Sequence, residues 1–73
     1  MSEFERMRWK VVEYAMERYG EELSVEDVTT YWTGTMMEYN RGLLWDGKRL
    51  YIVTYTRTDG KFAVVPYVPD TGA

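Results

Sequence analysis

Residues 43–68 constrain this chain most tightly, because they read as β structure with apolar side chains on both faces. Asp46-Gly47 and Asp59-Gly60 are dipeptides of the kind that close hairpins, and each is followed by Lys. The runs Arg49–Arg57 and Phe62–Val68 are rich in branched and aromatic residues. The expected strands are about 43–45, 49–57 and 61–68, forming an antiparallel hairpin or a three-stranded meander. A two-residue turn at Asp59-Gly60 sets Arg57 against Phe62, Tyr55 against Val64 and Val53 against Pro66. Pro66 has no amide proton to donate, so its strand belongs at an edge. Alternation puts Tyr51, Val53, Tyr55, Phe62, Val64 and Val68 on one face. Leu50, Ile52, Thr54, Thr56, Ala63, Val65 and Tyr67 fall on the other. A sheet with one wet face alternates apolar with polar residues. Here both sides are apolar, so covering one face leaves the other in need of a partner.

The cover comes from the N-terminal half. Ser2 and Glu5 form an S-x-x-E capping box, and Gly20 supplies a left-handed stop, so the spacing predicts a helix over 2–19. Phe4, Met7, Val11, Val12, Ala15 and Tyr19 spread over one face of that helix, with Arg8 inside the apolar arc. An arginine there either lays its stem on the core or stacks its guanidinium on a ring. Ser24 and Asp27, with Leu23 and Val28 at the staple positions, start a second helix over about 24–32. Val25, Val28, Trp32, Met36, Tyr39 and Leu43 continue at helical spacing, but the threonines between them are poor helix formers. Two readings fit. One breaks the chain at Thr33-Gly34 and begins a short third helix over 35–41. The other runs a strand through Tyr31–Tyr39. The first is preferred. The expected class is α+β, a single domain over 1–73 with a loose tail at 69–73.

Seventy-three residues make a small core, and with no cysteine there is no disulfide to staple it. Without cysteine or histidine, thiol nucleophiles, Ser-His pairs and the familiar zinc patterns are excluded. Neither G-x-G-x-x-G nor a P-loop occurs, and Glu21-Glu22 and Glu26-Asp27 lack calcium-loop spacing. The expectation is a non-enzyme with no cofactor and no metal. No apolar run reaches the ~18 residues of a membrane span and no signal peptide opens the chain, so the expected location is the cytoplasm.

Aromatic residues make up 16% of the chain, and Tyr and Trp are the residues enriched at interface hot spots. Charge is split along the chain. Residues 1–40 carry nine acids against four bases, and residues 41–73 carry five bases against three acids. The expected function is a small protein-binding module, an inhibitor or modulator of virus or mobile-element type that masks a functional surface of a partner protein. Glu13, Glu17, Glu21, Glu22, Glu26 and Asp27 would steer the partner, and Arg8, Trp32, Tyr51 and Tyr55 would anchor it. A homodimer through the uncovered sheet face is a compatible second role.

The order of helices, Thr33-Gly34 turn and hairpin also resembles the winged-helix DNA-binding family. Ser24-Val25-Glu26-Asp27-Val28 looks like its second helix, and Arg41-Gly42-Leu43-Leu44 looks like its passage from recognition helix to wing. The resemblance implies a transcriptional regulator with Thr35, Met36, Tyr39 and Arg41 on the recognition helix and Arg57 and Lys61 flanking the wing tip. Tyr51, Tyr55 and Arg57 would alternatively stack single-stranded bases. Nucleic-acid affinity rests on neutralised phosphates, and a net charge of −3 ranks these readings below a protein partner.

Overall fold

The structure is a computed structural model that describes residues 2–68. The expected tail at 69–73 lies outside the described residues. Helix α1 spans Glu3–Tyr19. Ser2 Oγ accepts from the Glu5 amide at 3.2 Å, and Gly20 ends the helix at φ +66° while its amide donates to the Met16 carbonyl at 3.0 Å. These are the start and stop that the sequence signals. Met7, Val11 and Ala15 form the buried stripe.

The helix expected over 24–32 is a single 3-10 turn, Val25–Asp27. The Ser24 amide donates to Asp27 Oδ2 at 3.1 Å, so the cap forms, but Val28 is already extended at φ −95°, ψ 119°. The chain continues as strand β1, Thr29–Thr35, because branched and aromatic residues favour a pleated strand over a helix. The helix expected over 35–41 is absent as well. Met36 donates its amide to the Tyr39 carbonyl at 2.8 Å across a tight turn, and strand β2 runs Tyr39–Trp45. The segment a winged helix needs for recognition is therefore strand, turn and strand.

Strands β3, Leu50–Thr56, and β4, Lys61–Pro66, complete a four-stranded antiparallel sheet in the order β1-β2-β3-β4. The α+β class holds, with one α-helix and four strands rather than three. The β2–β3 turn is tight. Trp45 pairs with Leu50, and only Gly47 takes positive φ, at +100°. The Asp46 amide donates to the Arg49 carbonyl at 3.2 Å across Gly47-Lys48. The β3–β4 turn is longer than two residues. Thr56 pairs with Lys61, Tyr55 with Phe62 and Val53 with Val64, two residues from the expected register. Gly60, at φ +67°, donates its amide to the Thr56 carbonyl at 2.9 Å and closes a four-residue loop. A shift of two residues keeps every side chain on its face, so the expected division of the faces survives. Pro66 lies in edge strand β4, as expected.

The core lies between α1 and one face of β2, β3 and β4. It is built from Met7, Val11, Val28, Leu44, Tyr51 and Val53, flanked by Phe4, Val12, Tyr14, Tyr55, Phe62 and Val64. Gly42 lets the helix sit close. A Cβ there would lie 3.1 Å from Met7 Sδ and 3.0 Å from Leu44 Cδ1.

Candidate protein-binding face

The sheet face away from α1 follows from the register. Paired residues share a face, so Trp45 with Leu50, Leu43 with Ile52 and Val65, Arg41 with Thr54 and Ala63, and Tyr39 with Thr56 and Lys61 form its rows. Trp32 joins the Leu43 row through β1. The register slips between Thr30 and Trp32, which marks a bulge at Tyr31. A bulge places two neighbouring side chains against one partner residue. Tyr31 accordingly lines a hollow with Leu43, Trp45 and Leu50, on the same face as Trp32.

No described element covers this face. Tyr31 is 63% exposed, Trp32 56% and Val65 56%, and Tyr67 is exposed beside them. The face has two halves. Tyr31, Trp32, Leu43, Trp45, Leu50, Ile52 and Val65 make one apolar half, and Arg41, Thr54, Tyr39, Thr56 and Lys61 make a polar half. Among the described residues, no strand carries Asp or Glu, so the charges on the face are Arg41 and Lys61. Four strands ~4.8 Å apart and six or seven residues long at ~3.3 Å each span roughly 19 × 23 Å in projection. That projected area is roughly 440 Å², against the ~800 Å² of accessible surface that one side of a standard protein interface buries.

The expected anchors separate. Trp32 stands on the open face. Tyr51 is fully buried under α1, and Tyr55 packs on Phe62 at 4.7 Å between ring centroids on the helix side. These two tyrosines therefore present nothing to a partner on the open face. Alternation gave their shared face but not which face the helix takes. Gly42, which shares that face through its pair Val53, was the available signal, since a helix settles where no side chain stands. Arg8 is structural. Its Nε donates to the Val28 carbonyl at 3.1 Å and its Nη2 to the Val25 carbonyl at 2.7 Å, tying α1 to the 3-10 turn. This is neither of the two roles expected for it.

The expected steering acids are dispersed. Glu13 and Glu17 are exposed on α1, and Glu13 pairs with Lys10 at 3.4 Å. Glu22 is exposed beyond the helix end. Glu21 is held by Arg49 at 2.9 Å and Lys48 at 3.7 Å, with the Arg49 guanidinium 3.7 Å from the Tyr19 ring centroid. Asp27 caps the 3-10 turn, and Glu26 accepts from Ser24 Oγ. Glu26 lies below the usual carboxylate range, chiefly through that hydroxyl. Glu13 and Glu17 ride on a helix on the opposite side of the sheet from Trp32, so one flat contact cannot use both groups.

The expected nucleic-acid set divides in the same way. Thr35 ends β1 and Tyr39 begins β2, on either side of the turn. Arg41 and Lys61 share the open face. Arg57 is spent on the protein itself: its guanidinium donates to the Met37 carbonyl at 2.9 Å, to the Met36 carbonyl and to Asn40 Oδ1, latching the β1–β2 turn to the β3–β4 loop. It has no recognition helix to flank.

Behind the open face, Asp46 and Tyr51 form a buried polar pair at the β2–β3 turn. Asp46 Oδ1 accepts from the amides of Lys48 at 2.8 Å and Arg49 at 2.7 Å, and its Oδ2 accepts from the Tyr51 hydroxyl at 2.7 Å. Burial opposes the ionised carboxylate. The Arg49 amide, the Tyr51 hydroxyl, the Lys48 amide and the Arg49 charge outweigh it and hold Asp46 below its ordinary value. Burial, then the bond to Asp46, pushes the Tyr51 phenol well above its ordinary value. The pair is braced inside the fold and serves to fix the turn.

No helix among the described residues is long and apolar enough to cross a membrane. Comparison with protein-family models, with curated proteins and with solved structures finds no match to this chain. What the chain does must therefore be read from the face itself.

Proposed function

We propose that this chain is a small non-enzymatic protein-binding module that presents the open face of its sheet to a partner protein. The observation that supports this reading is the face itself: exposed and half-buried aromatic and branched side chains that no described element covers, with no Asp or Glu on the described strands. Tyr31 and Trp32 on edge strand β1 and Trp45 at the turn end of β2 supply hot-spot residue types on the apolar half, Arg41 lies on inner strand β2 and Lys61 at the far corner. The acidic residues of the helical layer act at longer range, favouring approach with the sheet forward to a partner whose facing surface is not basic. Masking a functional surface of that partner, as an inhibitor or modulator of viral or mobile-element type does, is the action this reading assigns.

The test places a photo-crosslinking benzophenone side chain at Thr54, in the middle of the open face, or at Glu17, on the helix, in cells that make the protein. The expected result is an adduct with another protein from Thr54 and not from Glu17. An adduct from Glu17 alone, an adduct from Thr54 at twice the chain mass, or none from either position overturns the reading; the second of these assigns the face to a homodimer.

A further inference from the structure

At the polar end of the open face, Trp32 and Arg41 meet over a glycine. Gly34 pairs with Arg41 across β1 and β2. A Cβ at Gly34 would stand 2.5 Å from Trp32 Cη2 and 2.8 Å from Cζ2, so the indole lies across the bare backbone there. On the other side, the Arg41 guanidinium carbon sits 5.0 Å from the centroid of the Tyr39 ring. Trp32, Gly34, Thr35, Met36, Tyr39 and Arg41 line a notch of about 380 Å³.

The notch has positive charge with no internal counter-ion. Among the described residues Arg41 makes no ion pair, and Glu38 in the adjoining turn does not pair with it. Lys61 adds a second cation at the same end, in the row of Tyr39 and Thr56. A guanidinium stacked on an aromatic ring keeps its N–H edge free, and that edge matches a carboxylate in a two-point bond. Arg41 is exposed, so its free edge is open to a partner's carboxylate. We propose, resting on the reading of the open face as a partner surface, that this notch takes the carboxylate of a Glu or Asp side chain of the partner protein, flanked there by apolar residues that lie on the Tyr31–Leu43–Trp45 half.

Charge selects this occupant over two others. A second copy packed face to face would bring another Arg41 and Lys61, with no acid on the described strands to meet the first pair. A single strand of nucleic acid would bring one phosphate per nucleotide to a face with two cations, on a chain whose net charge is −3.

The test uses two capped dipeptides, N-acetyl-Phe-Glu-amide and N-acetyl-Phe-Gln-amide, titrated into the full chain and followed by two-dimensional amide NMR. The expected result is that the Glu peptide shifts the Trp32 indole N–H and the Gly34 and Arg41 amides and binds about fivefold tighter or more than the Gln peptide. Arg41→Gln, at an exposed position, should make the two peptides equal while amides distant from the notch keep their native shifts. Equal shifts from both peptides on the native open face overturn the carboxylate notch and leave the face standing as a partner surface. A preference for Glu that survives Arg41→Gln, or no shift from either peptide, overturns the notch. Tighter binding of an oligothymidylate at the same residues, or loss of peptide shifts as the chain dimerises through this face, also overturns it, in favour of nucleic acid or a second copy respectively.

Discussion

The hydroxyl of Tyr51 donates to Asp46 Oδ2 at 2.7 Å, joining the first buried residue of β3 to the carboxylate that organises the β2–β3 turn. Two backbone amides share that carboxylate, so a single side chain fixes the turn and anchors the largest ring of the core. Tyr51→Phe keeps the ring and removes the donor. The buried carboxylate loses one of its partners, and the expected cost is roughly 1–3 kcal/mol, seen as a lower urea midpoint with unchanged far-UV circular dichroism.

Acid should act through the same carboxylate. Asp46 has a lower pKa folded than unfolded. Its contribution is complete above the unfolded value near ~3.9 and is lost as pH falls through the folded value. Urea midpoints measured between about pH 5 and pH 2 should fall less steeply for Asp46→Asn than for the native chain. Parallel slopes would show that other carboxylates dominate.

Gly34→Ala separates packing from stability. The new methyl meets the far end of a flexible, largely exposed ring, not backbone. Stability should change by less than about 1 kcal/mol. The Trp32 indole N–H resonance should move, and binding of the Glu dipeptide should weaken because the ring no longer lies beside Arg41.

Arg8→Met tests the tie between α1 and the 3-10 turn. The apolar stem is kept and two carbonyl partners are lost. The expected loss is roughly 1–3 kcal/mol, from charge-assisted bonds that are partly buried. Amide exchange at Asp27 and Val28, whose N–H groups bond within the turn, should accelerate more than exchange in β3.

What the sequence disclosed follows the range of the forces involved. Caps act within four residues, and the Ser2 and Gly20 signals gave α1 its true ends. The Ser24–Asp27 cap was equally real, but a cap does not extend a helix. Thr29–Thr35 then obeyed strand preference, and the bulge at Tyr31 broke the alternation that would have announced it. The faces of β3 and β4 were legible because parity survives a shift of two residues. Which face α1 would cover depends on Gly42 beneath Met7, a tertiary contact. That is why Tyr51 and Tyr55 were expected as anchors while Tyr31, Leu43 and Trp45 were not. Arg41 was visible as a base, but its place beside Trp32 required β1 and β2 to be paired.

Strand order in this sheet repeats chain order, and each ladder closes over a connection of a few residues. Little loop entropy is lost before each pairing is rewarded, which is the condition for rapid folding. Among the described residues, the docking of α1 onto β2, β3 and β4 is what joins distant elements of the chain. A nascent molecule can thus zip hairpin by hairpin, and it is adhesive on its second side from the first zipped pair onward. On the proposed reading, early encounter with a partner protein would also limit aggregation.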